Sequence, residues 1–295
     1  MQTITRLDML RNAVAALRQT GKTLALVPTM GALHDGHLTL VREAQARADH
    51  VCVSIFVNPT QFGPNEDLGA YPRQLEADSA LLSAEGVDLL WAPPVEEMYP
   101  AGFATSISVA GVAENYCGGD RPGHFDGVAT VVCKLFNQVR PDVACFGEKD
   151  WQQLAVIRRM ARDLDLTLPE PDRIEGIATV REPDGLAMSS RNRYLSPQDR
   201  AAAATLPRAM QEAIARIESG QEVPATLAAL KYELLGAGFT SVDYAELADA
   251  GSLQKWHEPG QGDGRLLVAA RIGGTRLIDN MAVCGNRKHN AARPS

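Results

Sequence analysis

Along the first half of the chain, short and wholly apolar runs alternate with amphipathic stretches of helical spacing. That alternation restricts the fold more than any other feature. Thr23–Val27 (TLALV) and Val51–Val57 (VCVSIFV) are apolar at consecutive positions, which suits strands buried on both faces of a parallel sheet. Val87–Trp91 and Val143–Phe146 repeat the pattern. Helices are predicted over His37–Ala48, about Leu75–Glu85, Gly127–Val139 and Trp151–Asp163. A further helix over Leu7–Leu17 places Leu7, Leu10, Val14 and Leu17 on one face and ends before Gly21. Strands and helices alternating in this way imply right-handed βαβ crossovers, and so an α/β fold with a doubly wound, Rossmann-like parallel sheet.

The pattern changes after Leu168-Pro-Glu-Pro-Asp172, whose two prolines break any helix. We therefore expect residues 1–172 to form the Rossmann-like domain and 173–295 a smaller C-terminal α+β lid domain. A length of 295 residues accommodates two cores. In the second part, Pro197–Ser219 predicts one helix with Ser196 as N-cap and Pro197 at its first position. Thr226–Leu235 predicts another, and Val242–Leu247 and Leu266–Ala270 predict strands. Arg271-Ile-Gly-Gly-Thr275 signals a hairpin into Leu277–Val283, giving an antiparallel sheet.

Composition excludes several classes. Acidic residues number 36 against 29 basic, a net charge of −7, so no overall basic footprint for nucleic acid exists. A local cationic pocket for a phosphorylated small molecule stays open. No apolar run approaches the roughly 18 residues of a membrane span. Arg6, Asp8 and Arg11 leave no apolar signal-peptide core. Cys52, Cys117, Cys133, Cys145 and Cys284 form no C-x-x-C pair, and their odd number argues against a disulfide framework. A soluble chain of a reducing, cytoplasmic compartment is expected.

Five loops carry the chemistry-bearing residues. Val27–His37 lies between a strand and a helix, where a doubly wound sheet binds ligands, and a helix starting near Gly36 aims free N–H groups at an anion. His34 and His37 sit at that terminus. Asn58-Pro-Thr-Gln-Phe-Gly63 offers the amides of Asn58 and Gln61, although Asn-Pro also opens turns by itself. Gly147-Glu-Lys-Asp150 brings Lys149 within reach of a phosphate, with Asp150 as an N-cap for the helix carrying Gln153. Asp184–Asn192 supplies Ser189, Ser190 and Arg191, two hydroxyls and a guanidinium suited to polyphosphate. Arg121-Pro-Gly-His-Phe125 is read equally as an acidic-ligand contact or a surface turn.

No G-x-x-x-x-G-K-[ST], G-x-S-x-G or H-E-x-x-H occurs. Gly260-Gln-Gly262 completes no G-x-G-x-x-G and reads as a loop. His34 and His37 lack the further His or Cys pair that zinc requires, so no structural metal is expected. His50, His257 and His289 read as surface residues.

Together, Pro28–His37 (PTMGALHDGH), Phe56–Gly63 (FVNPTQFG), Arg121–Phe125 (RPGHF), Phe146–Asp150 (FGEKD) and Gly185–Asn192 (GLAMSSRN) closely resemble the pantothenate synthetase family. They occur in family order, and Ile278–Ala282 also fits. A lone H-x-G-H would indicate only the wider nucleotidyltransferase and class I tRNA-synthetase-like group. The K-M-S-K-S loop of that group reads Ala187-Met-Ser-Ser-Arg191 here, which is the pantothenate synthetase form.

The resemblance implies ATP-dependent condensation of pantoate with β-alanine through pantoyl adenylate, releasing AMP and pyrophosphate. It implies that Met30, Gly31, Ala32, Leu33, His34, Asp35, Gly36 and His37 border ATP, with His37 as proton donor and His34 beside it on the phosphates. Gly147, Glu148, Lys149, Asp150, Val180, Met188, Ser189, Ser190 and Arg191 would also contact ATP, Lys149 and Arg191 supplying charge. Gln61 and Gln153 would hold pantoate, with Asn58, Tyr71 and Arg121 in the pantoate and β-alanine pocket. Magnesium would bridge the phosphates, and the family is homodimeric. Neither a nucleic-acid nor a membrane partner is expected. Two other readings use the same residues: a nucleotidyltransferase that keeps the nucleotide in its product, and a non-catalytic nucleotide sensor.

Overall fold

The computed structural model describes residues 1–19, 21–64, 66–256 and 262–284. The readings of His257, His289 and the Gly260–Gln261 pair lie outside the described residues. The chain forms two compact units, Met1–Ala113 with Arg121–Val180, and Glu114–Asp120 with Arg181–Ser295.

The first unit contains β1 (Gln2–Ile4), α1 (Leu7–Arg18), β2 (Leu24–Thr29), α2 (Asp35–Gln45), β3 (His50–Ile55), α3 (Leu75–Ala84) and β4 (Leu89–Trp91). It continues with α4 (His124–Val139), β5 (Val143–Gly147), α5 (Trp151–Asp163) and β6 (Ile174–Ile177). The six strands form one parallel sheet in the order β1-β4-β3-β2-β5-β6. The order reverses between β2 and β5, which is where a doubly wound sheet opens a crevice at its carboxyl edge. Alternate residues Ala25, Val27, Val51 and Val53 pack with Leu40, Val41 and Ala44 of α2 and Leu82 of α3. Leu24, Leu26 and Cys52 are buried as well. Covered on both faces, these strands have no polar alternation.

β1 and β6 were not anticipated: three or four residues display no period, and neither has an apolar run such as the one that marks β4. In β6 (IEGI) the glycine lies close against Leu154, where a Cβ would sit 2.8 Å from Cδ2. The expected division at residue 172 lies ahead of β6, whereas the compact units part at Val180. His50 is corrected from a surface residue to a half-buried one, with Nδ1 3.0 Å from Asp88 Oδ1. None of the five cysteines is joined in a disulfide, and burial pushes the Cys52 thiol up to about 12. Among the described residues, no helix is long and apolar enough to cross a membrane.

The second unit holds α6 (Pro197–Ala203), α7 (Thr205–Glu218), α8 (Val223–Gly236), β7 (Ser241–Asp249), β8 (Gly264–Ile272) and β9 (Thr275–Val283). Its strands form an antiparallel sheet in sequence order. Gly273 (φ 54°) and Gly274 (φ 77°) both take the left-handed conformation that a tight β8–β9 turn demands. Leu206, Met210, Leu230, Leu234, Val268 and Ile272 meet in one core. The single helix expected over Pro197–Ser219 is two helices joined at Ala204. Pro207 explains the break, since its ring clashes with the carbonyl four residues back and it lacks an N–H. Ser196 does cap α6, its Oγ accepting from Asp199 N at 3.1 Å.

Candidate active site

The loop after β2 builds the centre of the first unit's carboxyl edge. Gly31 (φ 85°) and Ala32 (φ 52°) turn the chain sharply, and His34 becomes the N-cap of α2. His34 Nδ1 accepts from Gly36 N at 3.2 Å, and His37 Nδ1 accepts from His34 N at 3.4 Å. This reciprocal arrangement is a capping box built from two imidazoles. A ring nitrogen that accepts an amide proton carries none itself, so the proton of each neutral ring lies on Nε2. The rings are close, with centroids 4.1 Å apart. Asp35, exposed in the first turn, and Gly36 complete the terminus. The helix dipole adds positive potential at this point.

The second loop follows β3. Asn58 is 1% exposed and its amide is fully committed. Its Nδ2 donates to Gln61 Oε1 and to Gly127 O, both at 3.1 Å, while Oδ1 accepts from Tyr99 Oη at 2.8 Å and Thr60 Oγ1 at 2.9 Å. Gln61 Nε2 reaches Met30 Sδ at 3.1 Å, joining this loop to the first. The structure makes Asn58 a support for Gln61.

Arg121 and His124 grip the same glutamine from its backbone. His124 Nδ1 donates to Gln61 O at 2.8 Å, and Arg121 Nη2 donates to that oxygen at 3.3 Å. Arg121 also forks onto Glu66, with Nε–Oε1 2.6 Å and Nη2–Oε2 2.5 Å, and its Nη1 donates to His124 Nε2 at 3.0 Å. Arg121 opens a turn closed by His124 N donating to its O at 3.0 Å, with Pro122 and Gly123 exposed, while its guanidinium is engaged by these internal partners. Burial and the Arg121 charge lower the His124 pKa from 6.5 to about 4, so its imidazole is neutral near pH 7. The Arg121 pair lowers the Glu66 carboxyl against the upward pull of burial. Tyr71 is buried, its ring edge-on to Phe62 at 5.9 Å.

The third loop follows β5, the neighbour of β2 across the reversal. Gly147 ends the strand, and Glu148, Lys149 and Asp150 form one half-buried turn of 3-10 helix before α5. Asp150 occupies the N-cap position but its side chain makes no capping bond, contrary to expectation. Gln153 is half-buried on the first turn of α5, while its neighbour Gln152 is buried and donates to Val112 O at 2.9 Å. Val180, half-buried, ends the unit.

Met188, Ser189, Ser190 and Arg191 belong to the second unit. There Arg181 and Ala187 pair as an isolated bridge, closing a short turn around Gly185. Arg181 donates to Gly185 O at 3.0 Å and forks onto the buried Asp279 carboxylate at 2.7 and 3.0 Å. Ser189 Oγ accepts from Arg191 N at 3.3 Å, opening a 3-10 turn through Tyr194, and Asn192 Nδ2 holds Ala187 O at 3.1 Å. Met188, Ser189 and Arg191 are half-buried and Ser190 is buried.

Sequence reading missed Glu66, Gln74, Asp78 and Tyr99. Glu66, Asp78 and Tyr99 act on residues more than forty positions away, Arg121, Ala32 and Asn58, so no local spacing marks them, and Gln74 acts only through Asp78. Among the described residues, no three His, Cys, Asp or Glu side chains gather as a metal site.

Comparison with known proteins fits this geometry. The family model described as Pantoate-beta-alanine ligase matches residues 2–282. A pantothenate synthetase of Novosphingobium aromaticivorans is 70% identical over 283 residues, covering 96% of this chain and 99% of its own length. One from Sphingopyxis alaskensis is 60% identical over 286 residues, covering 96% and 100%. The crystal structure of pantothenate synthetase from Thermus thermophilus superposes with a TM-score of 0.85 at 47% identity, over 95% of this chain and 99% of that one. A pantoate-beta-alanine ligase from Francisella tularensis, complexed with beta-gamma ATP and beta-alanine, gives 0.80 at 33% identity, over 95% and 97%. With its loops in family order and its length covered almost entirely, the chain belongs to the pantoate-beta-alanine ligase family.

Proposed function

We propose that this chain condenses pantoate with β-alanine at the expense of ATP, through a pantoyl adenylate, releasing AMP and pyrophosphate. The observation that carries the reading is the paired-imidazole cap of α2 after β2, whose loop is joined through Met30 to the amide of Gln61. The Francisella relative, whose structure contains beta-gamma ATP and beta-alanine, supports the same substrates.

In this reading the Met30–His37 turn and the Gly147–Asp150 turn border ATP, and Gln61 and Gln153 orient pantoate. The pantoate carboxylate oxygen attacks the α-phosphorus, and the bond to the β-phosphate oxygen breaks as pyrophosphate leaves. Such a displacement needs positioning and charge stabilisation rather than a covalent protein group. Nε2–H of His34 and His37 and the Lys149 ammonium supply donors to the departing charge, the α2 dipole adds positive potential, and His37 is the proton donor. Each preorganised donor of this kind is worth roughly 2.7–4 kcal/mol. The β-alanine amine then attacks the acyl carbon and expels AMP. The family resemblance adds Val180, Met188, Ser189, Ser190 and Arg191 as further nucleotide contacts. Asn58, Arg121 and Tyr71 shape the pantoate pocket without giving up their internal partners. Magnesium would enter with the nucleotide and offset the charge of its phosphates.

The decisive experiment is exchange of labelled pyrophosphate into ATP, with pantoate present and β-alanine absent. Pantoate-dependent exchange is expected, followed by release of free AMP once β-alanine is added. Exchange without later AMP release supports a nucleotidyltransferase, and ATP binding without exchange supports a sensor. The reading also carries a homodimer and a cytoplasmic location, tested by sedimentation and cell fractionation.

A further inference from the structure

We propose that Asp78 of α3 is a positioning residue that sets the direction of the α2 terminus by filling the anion hole of the turn before it. Gly31 and Ala32 both have positive φ, and the sharp turn they make presents the successive N–H groups of Ala32 and Leu33 to one carboxylate, a backbone nest of the kind that binds anions. The occupant of this nest is internal. Asp78 Oδ2 accepts from Ala32 N at 2.8 Å, and Oδ1 accepts from Leu33 N at 2.9 Å. The carboxylate reaches across more than forty residues of sequence and is 0% exposed. Gln74 Nε2 holds the same Oδ1 at 3.0 Å from the foot of the helix.

The fit is tight. A Cβ on Gly31 would stand 3.1 Å from Asp78 Oδ2 and 3.2 Å from Ile55 Cγ2. The next residue after the clamped amides is His34, the cap of α2. A fixed negative group beside a triphosphate site opposes the ligand unless it is needed for something else. Here it spends the two amides of the turn, so the nest itself cannot take a phosphate. Anion binding is left to the imidazoles of His34 and His37 beyond it, whose orientation the clamp fixes through the cap. This inference rests on the nucleotide reading above.

The test compares Asp78→Asn, Asp78→Ala and Gly31→Ala with the unmodified protein. Asp78→Asn keeps the shape but turns one acceptor into a donor facing an N–H. It should lower the turnover of pantoate-dependent pyrophosphate exchange at least tenfold, with a smaller change in the ATP KM. In Asp78→Ala the vacated nest should take formate, and formate but not chloride should restore exchange saturably while leaving the unmodified protein unaffected. Gly31→Ala, which keeps the carboxylate, should show the same loss of turnover. Hydrogen exchange at the Ala32 and Leu33 amides should speed up in Asp78→Asn regardless of activity. Full turnover in Asp78→Asn overturns the proposal. So does a loss that merely tracks the unfolded fraction, with no formate response and no change at those two amides. An unmodified protein without pantoate-dependent exchange would instead remove the nucleotide reading, with the amide exchange still reporting on the clamp.

Discussion

Gly127→Ala sets two effects of opposite sign against each other. Gly127 lies near the start of α4, where alanine should stabilise a helix by about 1 kcal/mol over glycine. Its face, however, abuts the Asn58–Gln61 turn. An added Cβ would lie 2.5 Å from Thr60 O, 2.6 Å from Thr60 C and 2.7 Å from Gln61 N, all backbone atoms. Restoring ordinary contact means moving the helix and the turn apart by about 0.7–0.9 Å. Overpacking of this kind costs roughly 1–3 kcal/mol. The same movement stretches the 3.1 Å bond from Asn58 Nδ2 to Gly127 O, and leaving a buried amide donor short costs roughly another 1 kcal/mol or more. The strain exceeds the helix gain, for a net loss of about 2 kcal/mol. That corresponds to a melting midpoint lower by roughly 4–8 °C for a unit of this size. Because the displaced turn carries Gln61, the pantoate KM should rise several-fold while the ATP KM changes little. Calorimetry and initial rates with each substrate varied separately check both parts. A Gly127→Ala protein with an unchanged or higher melting point and an unaltered pantoate KM would refute the packing argument.

Other outcomes follow from the same geometry. His37→Ala should reduce pyrophosphate exchange by roughly 10²–10³-fold, the usual cost of one preorganised donor, with little change in melting point because the ring is only half-buried. Gln61→Ala should raise the pantoate KM more than the ATP KM, and the opposite split in initial rates would displace the pocket. His124, held near 4 when folded against 6.5 when free, binds its proton more readily in the unfolded chain. Its contribution to stability is therefore complete above pH 6.5 and is lost as pH falls toward 4, at up to about 1.4 kcal/mol per pH unit. Denaturation across that range should show a shallower slope in His124→Asn. Arg181→Ala would leave the buried Asp279 carboxylate without its fork and should destabilise the second unit by roughly 3–5 kcal/mol, read from its unfolding transition.

Local order was legible in the sequence wherever it is dictated by neighbours in the chain. The buried strands β2, β3 and β5, the amphipathic helices, the Ser196 cap and the two-glycine turn at 273–274 all follow from periods and from φ requirements within a few residues. So did the loops of the site, since a parallel sheet delivers its connections to one edge. The edge strands β1 and β6 did not, being shorter than any period and without an apolar run such as the one that marks β4, and Pro207 divided a helix that composition alone made continuous. What only the tertiary structure decided is who holds whom. Asn58, Arg121 and His124 carry side chains suited to a ligand, yet each is spent on Gln61 or on another internal partner. Asp78, silent in its own helix, supports a turn that precedes it by more than forty residues. Hydrogen-bonding capacity is finite and burial makes every unspent group costly. A residue's role is therefore fixed by the partners that folding places within 3 Å of it, and chain spacing carries no record of them.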